Sequence, residues 1–138
     1  MTAAARSGFA SVAERIDAVE EAYEFCLAYA AQGRRGDEDG PAGELHRFLE
    51  RALAALDGLT AAAGAEFATL PERGEAARAF LEVVQGDVAK AGAAIRLVLA
   101  QGAISSQLID NLNASIHLRA LLTDLFLIDE SLRGGPGA

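Results

Sequence analysis

Two histidines are the residues best suited to acid–base or metal chemistry, and each stands near carboxylates. His46 and Glu50 are four apart, one helical turn, and could share a ligand. His117 falls on one helix side with Asp110, Asn113 and Asp124, a set that could hold a metal or pass a proton. A di-iron bundle requires Glu-x-x-His, because residues three apart project together into the core. Three residues before His46 is Gly43, and three before His117 is Ala114. Both histidines therefore read as solvated helix-surface residues.

Other reactive arrangements are missing. A bundle haem would need an axial His or Met in the core, and Met1 is the only methionine. Cys26 is the only cysteine, which removes internal disulfides, four-cysteine zinc sites and haem attachment pairs. It falls on an apolar stripe and reads as a small core residue. The chain has no G-x-x-x-x-G-K-[ST] phosphate loop, no G-x-G-x-x-G after a strand and no G-x-S-x-G elbow. These absences point to a non-enzyme with no cofactor and no required metal.

Two polar patterns remain. Gln107, Asn111, Ser115, Arg119 and Thr123 are spaced by four and form a line between apolar flanks. Such a line could hydrogen-bond a partner or ligand, or it could be a partly solvated edge. Glu14, Asp17, Glu20, Glu21 and Glu24 make a continuous acidic arc with Arg15 as its one basic member. The arc could attract a basic partner; as a helix face it reads first as solvated charge.

The elements that carry these residues are helices. Of 138 residues, 31 are Ala and 18 Leu, with 3 Pro, 6% aromatics and no Trp. That is the balance of close-packed helices, not of a sheet. Half the chain is apolar, enough for one domain spanning residues 1–138 to bury a core. The net charge of −8 repels phosphate backbones and anionic membranes, so nucleic acid is not an expected partner. Lys90 is the only lysine beside 11 Arg, which with the abundant Ala and Gly suggests a bacterial, GC-rich composition. Arg96 and Asp124 interrupt the longest apolar runs, and no signal-peptide core follows Arg6. A cytoplasmic protein without membrane insertion is the expectation.

Periodicity and stop signals predict four helices, over residues 11–32, 42–67, 70–101 and 105–133, with a frayed tail at 134–138. The first opens on Ser11-Val-Ala-Glu14, which has capping-box spacing. The second starts near Pro41, and the third near Thr69-Leu-Pro-Glu72 with Gly86 and Gly92 inside it and Gly102 at its end. Stripes of period 3.5 mark each packing face, for example Leu45, Leu49, Ala52, Leu56, Leu59, Ala63 and Phe67. Short loops between long helices predict an all-α, antiparallel up-down four-helix bundle.

The fourth helix departs from this pattern. One stripe contains Ile104, Gln107, Asn111, Ala114, Leu118, Leu121, Leu125, Ile128 and Leu132. A second, on the opposite side, contains Ile109, Leu112, Ile116, Ala120 and Leu127. A helix apolar on two sides needs two neighbouring surfaces. One should close the core and the other should meet a second copy, making a homodimer. The expected interface is Asn111, Leu112, Ser115, Ile116, Leu118, Arg119, Leu121, Leu122 and Leu125. The function expected from these features is non-enzymatic protein binding, as an accessory, adaptor or assembly protein whose partner the residues do not identify. The alternative is a bundle holding a small ligand or metal between its helices.

Overall fold

The computed structural model describes residues 8–36, 40 and 43–133. The expected helix start at Pro41 and the tail at 134–138 lie outside the described residues, as do Met1 and Arg6. Among the described residues there are six α-helices and no strand. They are α1 (Val12–Ala30), α2 (Glu44–Leu56), α3 (Leu59–Phe67), α4 (Gly74–Leu99), α5 (Ser106–Ala114) and α6 (Ile116–Arg133), with a 3-10 turn at Pro71–Arg73 before α4. None is long and apolar enough to cross a membrane.

The caps follow the residue chemistry in part. Ser11 accepts the Glu14 amide and starts α1, while the Glu14 carboxylate turns back to the Ala10 amide. The first bond satisfies an amide that the first helical turn leaves without a partner, and the second ties down the amide just ahead of the cap. Thr69 does not cap the next helix. Its hydroxyl donates to the Glu66 carbonyl at 2.7 Å and closes α3 instead. The expected third helix therefore begins at Gly74, after the 3-10 turn. It ends at Leu99, and Gly102 is not among the glycines with left-handed backbone.

Two of the four expected helices are each broken in two. Residues 42–67 divide at Asp57-Gly58, where Gly58 takes φ +83°, a left-handed turn that a Cβ disfavours. The Asp-Gly pair is itself a turn signal. Residues 105–133 divide at Ser115, whose backbone is extended at φ −64°, ψ 143°. Its hydroxyl accepts the Leu118 amide at 3.2 Å and so caps α6. The halves divide their packing. α2 and α5 lie mainly against α1, whereas α3 and α6 lie mainly against α4.

Named contacts order the helices along their lengths. Rising along α1, Arg15 reaches the Ala55 and Asp57 carbonyls, Glu21 meets Arg51, and Phe25 stacks on Phe48 at 4.6 Å. Residue numbers thus fall on the 44–57 side as they rise on α1. At the far end of α1, the Tyr29 hydroxyl donates to the Ile104 carbonyl at 2.6 Å, and the Ser106 hydroxyl donates to the Tyr29 carbonyl at 2.7 Å. The Arg34 amide in turn donates to that Ser106 oxygen at 2.8 Å. Buried side chains of all six helices form one core.

Gly58→Ala is expected to cost about 1 kcal/mol, the conformational penalty of placing a Cβ at positive φ. The only atom near such a Cβ is Arg15 Nη2 at 3.8 Å, so no clash adds to it. Urea denaturation measures the loss; an unchanged midpoint would contradict the strained turn.

Candidate functional site

The break at Ser115 resolves the two-sidedness of the last helical segment. Ile109 and Leu112, from the second stripe, are buried before it. Leu118, Leu121, Leu125 and Ile128, from the first stripe, are buried after it. Each half turns one apolar side inward. Of the expected interface, Leu112, Leu118, Leu121, Leu122 and Leu125 are buried within the single chain. Asn111, Ile116 and Arg119 are exposed, and Ser115 is half-buried. Ile116 is 75% exposed, the most open of the large apolar side chains.

The polar line does not converge on a site. Gln107, Asn111, Arg119 and Thr123 are exposed. Their bonds are local: Gln107 Nε2 donates to Asn111 Oδ1 at 3.4 Å, and the Thr123 hydroxyl donates to the Arg119 carbonyl at 3.0 Å.

The histidine sets are also rearranged. His46, expected on the surface beside Glu50, is only 6% exposed, while Glu50 is exposed. His46 lies between the buried Leu45 and Leu49. His117 and Asp110 are exposed, but Asn113 and Asp124 are buried, so the four expected on one side are split. Among the described residues no three His, Cys, Asp or Glu side chains are placed to hold a metal ion. Cys26 is buried, and burial pushes its thiol up to about 12, which keeps it from acting as a thiolate.

The acidic arc is dispersed by its neighbours. Arg15 is buried and caps the end of α2, donating from Nη1 to the Ala55 and Asp57 carbonyls at 2.9 and 2.7 Å. Glu14 is used in the α1 cap, and Glu21 pairs with Arg51 at 3.0 Å. Asp17 and Glu20 instead line a groove of about 540 Å³ with Glu66 of α3 and Asp129 and Arg133 of α6. Ile16, Phe126 and Leu132 supply its apolar wall, with Phe126 55% exposed. Glu66 accepts the Val12 amide at 2.8 Å, and Asp129 pairs with Arg133. Partial burial, then the charges of Asp17, Asp129 and Glu24, raise the Glu20 carboxyl above its ordinary value; Arg133 opposes them. The groove is therefore a place where negative charge is crowded and incompletely balanced. Sequence periodicity identified Asp17 and Glu20 as acidic, but Glu66, Phe126 and Asp129 join them only through tertiary packing.

Two smaller grooves flank Phe67 and Ala77. One, of about 360 Å³, lies between α3 and α4 and includes Thr60, Gly64, Leu81 and Gln85. The other, of about 370 Å³, lies between α4 and α6 and includes Phe80, Leu127 and Ile128.

A second crowding of carboxyls lies on the α4–α6 seam. Asp124 is 6% exposed, and its Oδ2 has no hydrogen-bond partner among the described residues. Burial, then a hydrogen bond with the Asp87 carboxyl, then the Asp87 charge, push it up to about 7. Asn113, also buried, has both side-chain polar atoms without a partner among the described residues.

Comparison of the chain with protein-family models, with curated proteins and with solved structures finds no match.

Proposed function

We propose that the chain is a non-enzymatic, protein-binding accessory protein that receives a basic, amphipathic segment of its partner in the groove between α1, α3 and α6. The carrying observation is that groove: four carboxylates against one guanidinium, set around Ile16, Phe126 and Leu132. Glu66 and Asp129 already have partners, which leaves Asp17 and Glu20 to meet an incoming cation. Phe126 offers the kind of half-exposed aromatic that anchors interfaces. A Lys or Arg there would offset the carboxylate charges that, after burial, raise the Glu20 carboxyl.

The architecture proposed for it is an up-down bundle of four segments, with α2–α3 and α5–α6 each acting as one bent rod. Opposed numbering along α1 and α2 supports this, as do Thr60 bonded to Gln85 and Gly64 beside Leu81 between α3 and α4. The bundle is further proposed to act as a homodimer. Asn111, Ile116 and Arg119 are the members of the expected interface left open to a second copy.

Fluorescence anisotropy with a labelled helical peptide that carries Leu at alternating spacings of three and four, with Lys between, tests the groove. Saturable binding at low salt is expected, weakening as salt screens the charges. Asp17→Asn with Glu20→Gln should weaken it about tenfold, the equivalent of ~1.4 kcal/mol. Binding that is absent, or unchanged in the neutralised variant, would overturn the reading. Sedimentation equilibrium across micromolar concentrations tests the dimer; a mass constant at 14.3 kDa would remove it.

The alternative, a small ligand held between the helices, is favoured by the two grooves at Phe67 and Ala77, whose volumes fall at the low end of ligand sites. Native mass spectrometry of untagged protein would detect a stoichiometric non-protein mass.

A further inference from the structure

We propose that Asp87 of α4 and Asp124 of α6 form a proton-dependent latch: sharing one proton they join the two helices, and on losing it they push them apart. The argument begins with donor counting. Two ionised carboxylates carry only acceptors, so they can bond to each other only when one is protonated. Asp124 is nine-tenths buried, with Leu121, Leu125 and Ile128 of its own helix in the core around it. Its Oδ2 has no hydrogen-bond partner among the described residues. One shared proton leaves the pair a single negative charge, whereas a second negative charge at the same place has nothing to pair with.

The surroundings offer no compensation. The elements packed against α6 carry Arg15, Asp17 and Glu20 on α1, Glu66 on α3, Asp110 on α5, and Arg78, Glu82, Lys90 and Arg96 on α4. Asp87, also on α4, is the one charged group that acts on Asp124. His117, on α6 itself, is exposed and contributes nothing there.

The direction with pH follows from proton counting. An unfolded aspartate ionises near ~4, while burial and Asp87 move Asp124 up to about 7. Between those values the folded chain holds the extra proton. The stabilisation from the pair is therefore full below about 4 and is lost as pH rises through about 7. The same seam carries the groove formed by Ala76, Phe80, Leu127 and Ile128. Parting of α4 from α6 would widen that groove and uncover its apolar wall. The latch would make access to this seam a function of pH near neutrality.

Hydrogen exchange of amides in α4 and α6, corrected for intrinsic rates, tests the latch between pH 6 and 8.5. Wild type should lose protection at least tenfold around Asp87 and Asp124, with little change in α2. Asp124→Asn, which donates to Asp87 without charge, should keep its protection at both pH values. Asp87→Asn, at the more open position, should do the same and serves if Asp124→Asn does not fold. A carbon-13 titration should place the Asp124 carboxyl near neutrality. A value in the ordinary carboxylate range would overturn the latch, as would wild-type pH dependence in Asp87→Asn. Full restoration of wild-type protection at pH 8.5 by Mg²⁺ would also overturn it, by making the pair a cation site.

Discussion

Leu121→Glu is expected to unfold the chain. Leu121 has no exposed surface and sits in the core with Leu125 and Ile128. Removing the side chain from the core forfeits about 1.5–3 kcal/mol of apolar burial. Placing a carboxylate there without a partner adds several kcal/mol more, or forces it to stay protonated. The sum is comparable with the total stability of a small domain, roughly 5–15 kcal/mol. Ile116→Glu, five residues earlier at an exposed position, should change stability by no more than about 0.5 kcal/mol. Circular dichroism with urea melts separates the two. Loss of the cooperative transition is expected for Leu121→Glu alone. A folded Leu121→Glu protein that differed from wild type only in its association would refute the inward orientation of α6.

The second large effect is expected at Arg15. Its guanidinium donates to the Ala55 and Asp57 carbonyls, groups that the end of a helix leaves without intrahelical donors. It also lies 5.3 Å from the centre of the Phe9 ring, with Arg51 at 5.5 Å from the same ring. Arg15→Ala orphans those carbonyls and removes a buried stem, at an expected cost of about 2–4 kcal/mol. Arg15→Lys should recover part of this, because an ammonium can reach one carbonyl but lacks the planar fork. Urea denaturation of the three proteins measures the order. A loss below about 1 kcal/mol for Arg15→Ala would show that water replaces the guanidinium at the α2 end.

The Arg15 prediction rests on a residue whose role differs from what hydropathy alone assigns. Arg15 belongs, by its own helix, to an acidic solvent face. Its burial follows from the Asp57-Gly58 turn being folded onto α1, where backbone carbonyls need a donor. His46 reads as polar surface in the same way and is covered by packing. Asp124 interrupts an apolar run in the sequence, yet it is buried on the α4–α6 seam with the Asp87 carboxyl beside it.

By itself the sequence determined that this chain is helical and which residues line much of its core. Each is a local matter: Ala and Leu favour the helix, and apolar side chains at 3.5-residue spacing fall on one face. The stripe from Leu45 to Phe67 is buried throughout, even across the turn at Gly58. The tertiary structure decided where the long helices break, and hence which apolar side of residues 105–133 faces inward. Periodicity is measured around one assumed axis. When the chain leaves that axis at Ser115, the inward side passes from Ile109 and Leu112 to Leu118, Leu121, Leu125 and Ile128. Two opposite stripes on one imagined helix then become one buried stripe on each of two real ones. The acidic groove has the same origin, since Asp17 and Glu20 meet Asp129 and Phe126 only where α6 crosses α1.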